Sequence, residues 1–206
     1  MPGRMAKRVF DLVGSLLALV LLAPLLVGIA VWIKIDSPGP VLFRQQRVGR
    51  HGRQFSIRKF RTMVADAPAR GPSITVGNDP RITRAGVWLR RSKLDELPQL
   101  IDVLAGHMSL VGPRPEVPAY VARYPIELRN KVLAVKPGIT DPVSLSMADE
   151  GALLAVAADP EREYIEVLLP RKLRAAAAYA ERATLATDLQ VIGQTLRLLW
   201  ARAQQR

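Results

Sequence analysis

The chain has 206 residues, enough for one domain with a proper core and too few for two ordinary domains plus a membrane segment; it has no cysteine, which excludes disulfides, thiolate metal sites and cysteine nucleophiles. Thirty Lys and Arg against 18 Asp and Glu give a formal net charge of +12, so the expected partners are polyanions: nucleic acid, an anionic membrane surface or phosphorylated substrates.

Residues 12–33 read LVGSLLALVLLAPLLVGIAVWI without a charge, which meets the length of about 20 residues needed to span a bilayer core as a helix. A buried helix of a soluble protein seldom stays apolar on every face for so long. A secretory signal fits poorly, because the run exceeds the usual apolar region of about 7–15 residues and basic sequence follows it directly. Arg4, Lys7 and Arg8 precede the run; Lys34, Arg44, Arg47, Arg50, Arg53, Arg58, Lys59 and Arg61 follow it. Cytoplasmic ends of membrane segments collect such residues and exported ends do not, so a straight span would put one cluster on the wrong side. Pro24, near the midpoint, lacks an amide hydrogen and predicts a kink. These features predict a re-entrant helical hairpin in residues 1–36, entering and leaving on the cytoplasmic face with Ala23-Pro24 deepest; a kinked single span is the alternative. Lys7, Arg8 and Asp11 fall at headgroup level, where the cations can bind lipid phosphate and the carboxylate can pair with a nearby base, or where they form a plain solvated helix end.

Next, the apolar runs 41–43 and 55–57, separated by a polar stretch with Gly49 and Gly52, predict a β-hairpin. Residues 67–80, rich in Pro, Gly, Asn and Asp, predict a loop that could move over the site. Helices are expected over about 83–91, 95–104 and 117–123, then a loop over 136–144, then helix to the C-terminus interrupted at Pro170. In the last helix Leu189, Ile192, Leu196 and Leu199 share one side, which suits core packing, with an interfacial position left open by Trp200. The expected fold is mainly α with a small β-hairpin (α+β).

Only two histidines occur, His51 and His107, and neither a phosphate-cradling GxxxxGK[ST] run nor a GxGxxG run is present. The informative stretch is LRRSKLDELPQL at 89–100, where Asp95 and Glu96 follow a basic run and open a helix with Pro98 in its first turn. A carboxylate there is held ionised by free amides and neighbouring arginines, which can also hold an incoming phosphate. Read blandly, Asp95 is a helix cap and Glu96 a solvated first-turn residue. In GHMSLVGPRP at 106–115, Gly112 and two prolines pin Arg114 in a turn, which suits bidentate phosphate recognition or is an ordinary surface turn.

Several stretches in order resemble the bacterial sugar transferase family, the monotopic phosphoglycosyl transferases that begin glycan assembly on polyprenyl phosphate. They are KRVFD at 7–11, the proline-broken apolar run, FRQQRVGRHGRQFSIRKFRTM at 43–63, RRSKLDELPQL, VGPRP and KPGIT at 136–140. The resemblance implies a catalytic domain over 37–206 with amphipathic interfacial helices, and a ping-pong reaction. In it Asp95 attacks the phosphate on the sugar of a UDP-sugar and expels UMP, and polyprenyl phosphate then takes the phosphosugar. It further implies that Glu96 completes the dyad, that Asp95 and Glu96 position Mg2+, and that Arg90 and Arg114 contact phosphate. Lys59 and Arg61 follow as phosphate contacts, with a structural or lipid-contact role as the other reading. The implied place is the cytoplasmic face of a bacterial inner membrane, with an anionic bilayer and no nucleic acid as partner. The implied pathway is O-antigen, capsule, exopolysaccharide or glycoprotein glycan assembly, and UDP-linked N-acetylated hexosamines are the first donors expected. Two departures stand out: Ala23 where some members have serine before the proline, and Thr140-Asp141-Pro142-Val143-Ser144 where many continue with glycine and tryptophan. A basic, membrane-anchored binder of nucleic acid or anionic lipid is the rival reading, and it leaves the Asp95-Glu96 pair without a role.

Overall fold

The computed structural model describes residues 2–70, 79–143, 153, 154 and 156–204. Much of the loop expected at 67–80, and Ser144 of the later loop, lie outside the described residues. The first element, α1 (Pro2–Asp36), is one unbroken run of helix with Pro24 inside it. Helix resumes after the proline because only the amide at that position is lost, and Leu25 and Leu26 are good helix formers. Its middle is apolar and uncovered: Leu16, Leu17, Val20, Leu21 and Val27 are all more than half exposed. Each such side chain gains about 1.5–3 kcal/mol on leaving water, so this surface is made for lipid or for another apolar body.

Both ends of α1 dock on the rest of the chain. At the far end Ile29 and Ile33 pack with Phe60 and Leu89, Trp32 lies 5.5 Å from Trp88, and the Asp36 carboxylate accepts from the Ala85 amide at 3.0 Å. The near end is held by the three charged residues of KRVFD. Arg8 donates to the Val103 and Leu104 carbonyls at 2.8 and 3.2 Å. Lys7 donates to Val111 O at 3.2 Å and pairs with the buried Asp188. Asp11, 2% exposed, accepts from Ser109 Oγ at 3.0 Å and Leu110 N at 3.1 Å. Lys7, Arg8 and Asp11, expected at headgroup level, thus each have partners within the protein. Carbonyls at the end of α3 and the buried Asp188 carboxylate serve as partners for the two cations, and Asp11 pairs with polar hydrogens.

Strands β1 (Leu42–Val48) and β2 (Gln54–Phe60) pair antiparallel from Leu42 opposite Phe60 to Val48 opposite Gln54. The expected hairpin is present and longer than its apolar runs, because polar residues fill its solvated face. Helix α2 (Arg84–Ser92) is capped by Thr83, whose side chain accepts from Gly86 N. A 3-10 turn (Leu94–Glu96) and α3 (Gln99–Leu104) follow. Next come β3 (Ser109–Val111), α4 (Pro118–Val121), α5 (Ile126–Val132) and β4 (Gly138–Thr140), with β3 and β4 paired parallel. The C-terminal part comprises α6 (Pro160–Glu163), a π-turn (Tyr164–Leu168), α7 (Leu169–Arg182) and α8 (Leu185–Gln204).

Two sequence expectations are corrected here. Pro170 lies in the first turn of α7 and does not break the helix, because the preceding π-turn already relieves the hydrogen bond that its ring would block; the break falls at Ala183, which is extended. In α8 the predicted core face is largely uncovered: Leu189 and Leu196 are 51% and 61% exposed and Ile192 is half-buried, while Trp200, which left an interfacial position open, is 69% exposed. Asp188 and Val191 face inward instead. The domain core proper gathers Val121, Tyr124, Val132, Leu154, Leu168, Leu169 and Leu173.

Candidate active site

Lys93 adopts a left-handed conformation, φ 59°, which ends α2 and turns the chain back on itself. Leu94 then packs against the cluster that holds Ile29 and Ile33 of α1, so Asp95 and Glu96 stand beneath the far end of the apolar helix. The structure corrects the expected helix start. Asp95 sits within the 3-10 turn, makes no capping bond, and α3 begins only at Gln99. Pro98 cannot donate, and the tight turn uses the local carbonyls first.

Glu96, 8% exposed, is gripped from two sides: Lys59 Nζ donates to Oε1 at 2.8 Å, and Arg114 donates to Oε1 at 2.6 Å and to Oε2 at 3.3 Å. Burial alone would raise its pKa, yet the charges and hydrogen bonds of Arg114 and Lys59 win and hold the carboxyl well below the usual range. Burial lowers the pKa of Lys59, and Arg114 adds to this against the pull of Glu96. Asp95 is equally buried but differently served. Its Oδ1 has no hydrogen-bond partner among the described residues, and burial followed by the Glu96 charge pushes its pKa up, against Lys59, Lys93 and Arg114. A buried acceptor left unpaired costs about 1–3 kcal/mol, so a fold that keeps one keeps it for a ligand or a reaction.

The supporting elements fix these positions. Strand alternation sets Lys59 on the same face as the buried Phe55 and Ile57. Arg114 is aimed by a backbone-to-backbone contact: a Cβ on Gly112 would lie 2.4 Å from Lys136 O, and one on Gly138 2.0 Å from Gly112 N. Gly112 N donates to Thr140 O at 3.1 Å and Gly138 N to Pro113 O at 3.0 Å. Arg90 donates from Nε to Thr62 Oγ1 at 2.9 Å. Burial lowers its pKa while the Asp95 charge opposes, so its guanidinium lies within electrostatic reach of Asp95.

Arg61 is not brought to the carboxylates. Its guanidinium donates to Ser37 O at 2.7 Å, Ser37 Oγ at 3.0 Å and Pro38 O, closing the end of α1, which is the structural reading. Two contributors carried no role in the sequence reading. Asp102, fully buried, ties α3 to β2 through the Arg58 amide and guanidinium. Gln99 keeps a buried, unpartnered Nε2. A polar residue inside LPQL was the one available signal.

No group of three or more His, Asp or Glu gathers into a cation cage among the described residues. The donors left for a cation are the carboxylate oxygens of Asp95 and the remaining lone pairs of Glu96. Such a pair fits Mg2+, which is usually held by one or two carboxylates and completed by substrate phosphates and water.

One carboxylate clamped by cations, one left open, and a third cation near it define an anion-handling site on a domain built around an apolar helix. The comparisons with known proteins agree in kind. A family model described as "Bacterial sugar transferase" matches residues 2–202, and the chain belongs to that family. It is 56% identical over 109 residues to the "Exopolysaccharide production protein PSS" of Rhizobium leguminosarum bv. phaseoli, covering 52% of this chain and 54% of that one. It is 45% identical over 140 residues to the "UDP-glucose:undecaprenyl-phosphate glucose-1-phosphate transferase" of Escherichia coli (strain K12), covering 67% and 30%. To the "Undecaprenyl-phosphate glucose phosphotransferase" of Komagataeibacter xylinus it is 50% identical over 143 residues, covering 65% and 26%. The match thus spans about half or less of these relatives' own lengths.

Proposed function

We infer that this protein transfers a sugar phosphate from a UDP-sugar to undecaprenyl or another polyprenyl phosphate and so begins the assembly of a polysaccharide or other glycan. The observation that carries the reading is Asp95: a buried carboxylate with an unpaired oxygen, beside a second carboxylate already neutralised by Lys59 and Arg114. In this reading an Asp95 oxygen forms a bond to the phosphorus attached to the sugar, and the bond to the bridging oxygen breaks, its electron pair leaving with UMP. An oxygen of the carrier phosphate then attacks the aspartyl phosphosugar and returns Asp95 as a free carboxylate. An anion must here attack an anion; Arg114, Lys59 and Arg90 lower that repulsion and orient the phosphates. Mg2+ held by Asp95 and Glu96 would screen the diphosphate oxygens of the donor.

The helix α1 supports a place at the membrane. At 1.5 Å per residue a straight helix from Asp11 to Ile29 runs about 27 Å, close to the bilayer core of about 30 Å. Since the domain holds both of those residues, a straight crossing would draw charged domain surface into hydrocarbon. A re-entrant helix with both ends on the cytoplasmic face avoids this, and the outward apolar side of α8 suits the same interface. The test is UMP release with undecaprenyl phosphate and Mg2+ across UDP-glucose and UDP-N-acetylhexosamines. One donor supports release and Asp95→Asn abolishes it; undiminished release by the variant contradicts the assignment.

A further inference from the structure

A second cationic site lies away from Asp95, where the tip of the β1–β2 hairpin meets the turns after α3 and α5. A cleft of about 260 Å³ opens there, lined by Arg50, His51, Arg53, Phe55, His107 and Lys136 among others. No carboxylate lines it. The fold sets Arg50 and both histidines. Arg50 Nε donates to Ala134 O at 3.0 Å, and the His51 amide donates to Leu133 O at 2.8 Å, which pins the hairpin tip to the loop that carries Lys136. His51 itself has φ 59°, and His107 stacks on Phe55 with ring centroids 5.6 Å apart.

The Lys136 ammonium has no hydrogen bond or ion pair among the described residues. Burial, then Arg8, lowers its pKa, Arg50 and Lys7 add to this, and Asp11 alone opposes. The Asp11 carboxylate is meanwhile engaged by Ser109 and Leu110. Three formal cations and two imidazoles thus converge with no carboxylate in the cleft lining and Asp11 as the one counter-charge acting on Lys136, and an anion would relieve their repulsion. The size limits the choice. A drug-sized ligand needs roughly 300–1,000 Å³, so the cleft holds a phosphate group and its nearest substituent and not a whole nucleotide sugar. Its position narrows the setting further: a Cβ on Gly106 would lie 3.5 Å from Arg8 and 3.9 Å from Lys136, so the cleft borders the docked first turns of α1.

We propose that Arg50, Arg53, His107 and Lys136 form a phosphate-binding site separate from the Asp95 site, filled by the phosphate of a lipid headgroup or by free phosphate. The chain offers a specific readout, since its only two histidines, His51 and His107, both line this cleft. The full chain, labelled at the imidazole carbons and held in neutral detergent, is titrated with inorganic phosphate, dihexanoyl-phosphatidylglycerol and dihexanoyl-phosphatidylcholine while the imidazole Cε1–H resonances are followed. A saturable displacement of the His107 resonance by phosphate, by the anionic lipid or by both supports the proposal and tells the sources apart. The response weakens about tenfold or more in Lys136→Ala, as for a lost charge-assisted contact. It weakens likewise in the exposed, milder Arg53→Gln, and it persists in Arg114→Ala. No saturable displacement, a displacement unchanged in both cleft variants, or one lost in Arg114→Ala would overturn it.

Discussion

Burial raises the pKa of Asp95 and the adjacent Glu96 charge adds to the rise, whereas Glu96 is driven the other way by Arg114 and Lys59. Two neighbouring carboxylates with opposite needs give opposite responses to neutralisation. Asp95→Asn removes no partner and relieves repulsion, so it retains stability or gains up to about 1 kcal/mol in urea unfolding, while transfer is lost. Glu96→Gln leaves two half-buried cations without their counter-charge and lowers stability by about 1–3 kcal/mol. Its pH dependence has a fixed sign. The folded pKa of Glu96 lies below the unfolded value of about 4.3, so its contribution is complete above that value and is lost as the pH falls through the lower folded one. In metal-free protein the stability difference between wild type and Glu96→Gln is flat from pH 7 to about 5 and shrinks below about 4; a difference that grows on acidification contradicts the pairing. That Glu96 and Arg114 would come together near Asp95 was legible from the family resemblance of RRSKLDELPQL and VGPRP, whereas the residues alone suited a helix cap and an ordinary surface turn equally well. The roles of Lys7, Arg8 and Asp11 were not legible, because their partners lie about a hundred residues or more away in Val103, Ser109 and Asp188.

Elements set the precision of the site through close backbone contacts. The pairing of β3 with β4 brings Gly112 and Gly138 so near that a methyl group on Gly138 must displace the turn carrying Arg114. Gly138→Ala accordingly costs more than the 1–3 kcal/mol usual for overpacking and removes activity with it. Gly28, in the exposed middle of α1, meets nothing within 4 Å, so Gly28→Ala is neutral or adds about 0.5–1 kcal/mol. Thermal unfolding of the two variants in one detergent separates them; equal effects would show that the glycine contact does not hold the turn. The hairpin and α2 were readable from alternation and capping signals. The three-residue strands β3 and β4 were not, being too short to show a period, and α5 escaped because its sequence, IELRNKV, carries few apolar residues. The exposed face of α8 had the right period and the wrong inferred side, since an uncovered apolar stripe and a core-facing stripe read alike.

At the scale of the whole molecule, the proposed membrane placement rests on the two docked ends of α1 and the exposed apolar residues of α8. With no cysteine in the wild type, Arg4→Cys and Arg53→Cys can be labelled cleanly. A membrane-impermeant reagent added to sealed inverted vesicles modifies both, and to right-side-out vesicles neither; modification of opposite sides would establish a single span. The proposed function requires a water-borne donor and a lipid-borne acceptor to reach one carboxylate in turn. That shared carboxylate is tested most directly by intact-mass spectrometry of the purified protein after mixing with donor and Mg2+ but no acceptor. The account predicts a mass increase of one sugar phosphate on wild type, absent from Asp95→Asn and discharged by polyprenyl phosphate. Full turnover with a productive donor and never an adduct, or an adduct that forms equally on Asp95→Asn, would contradict it.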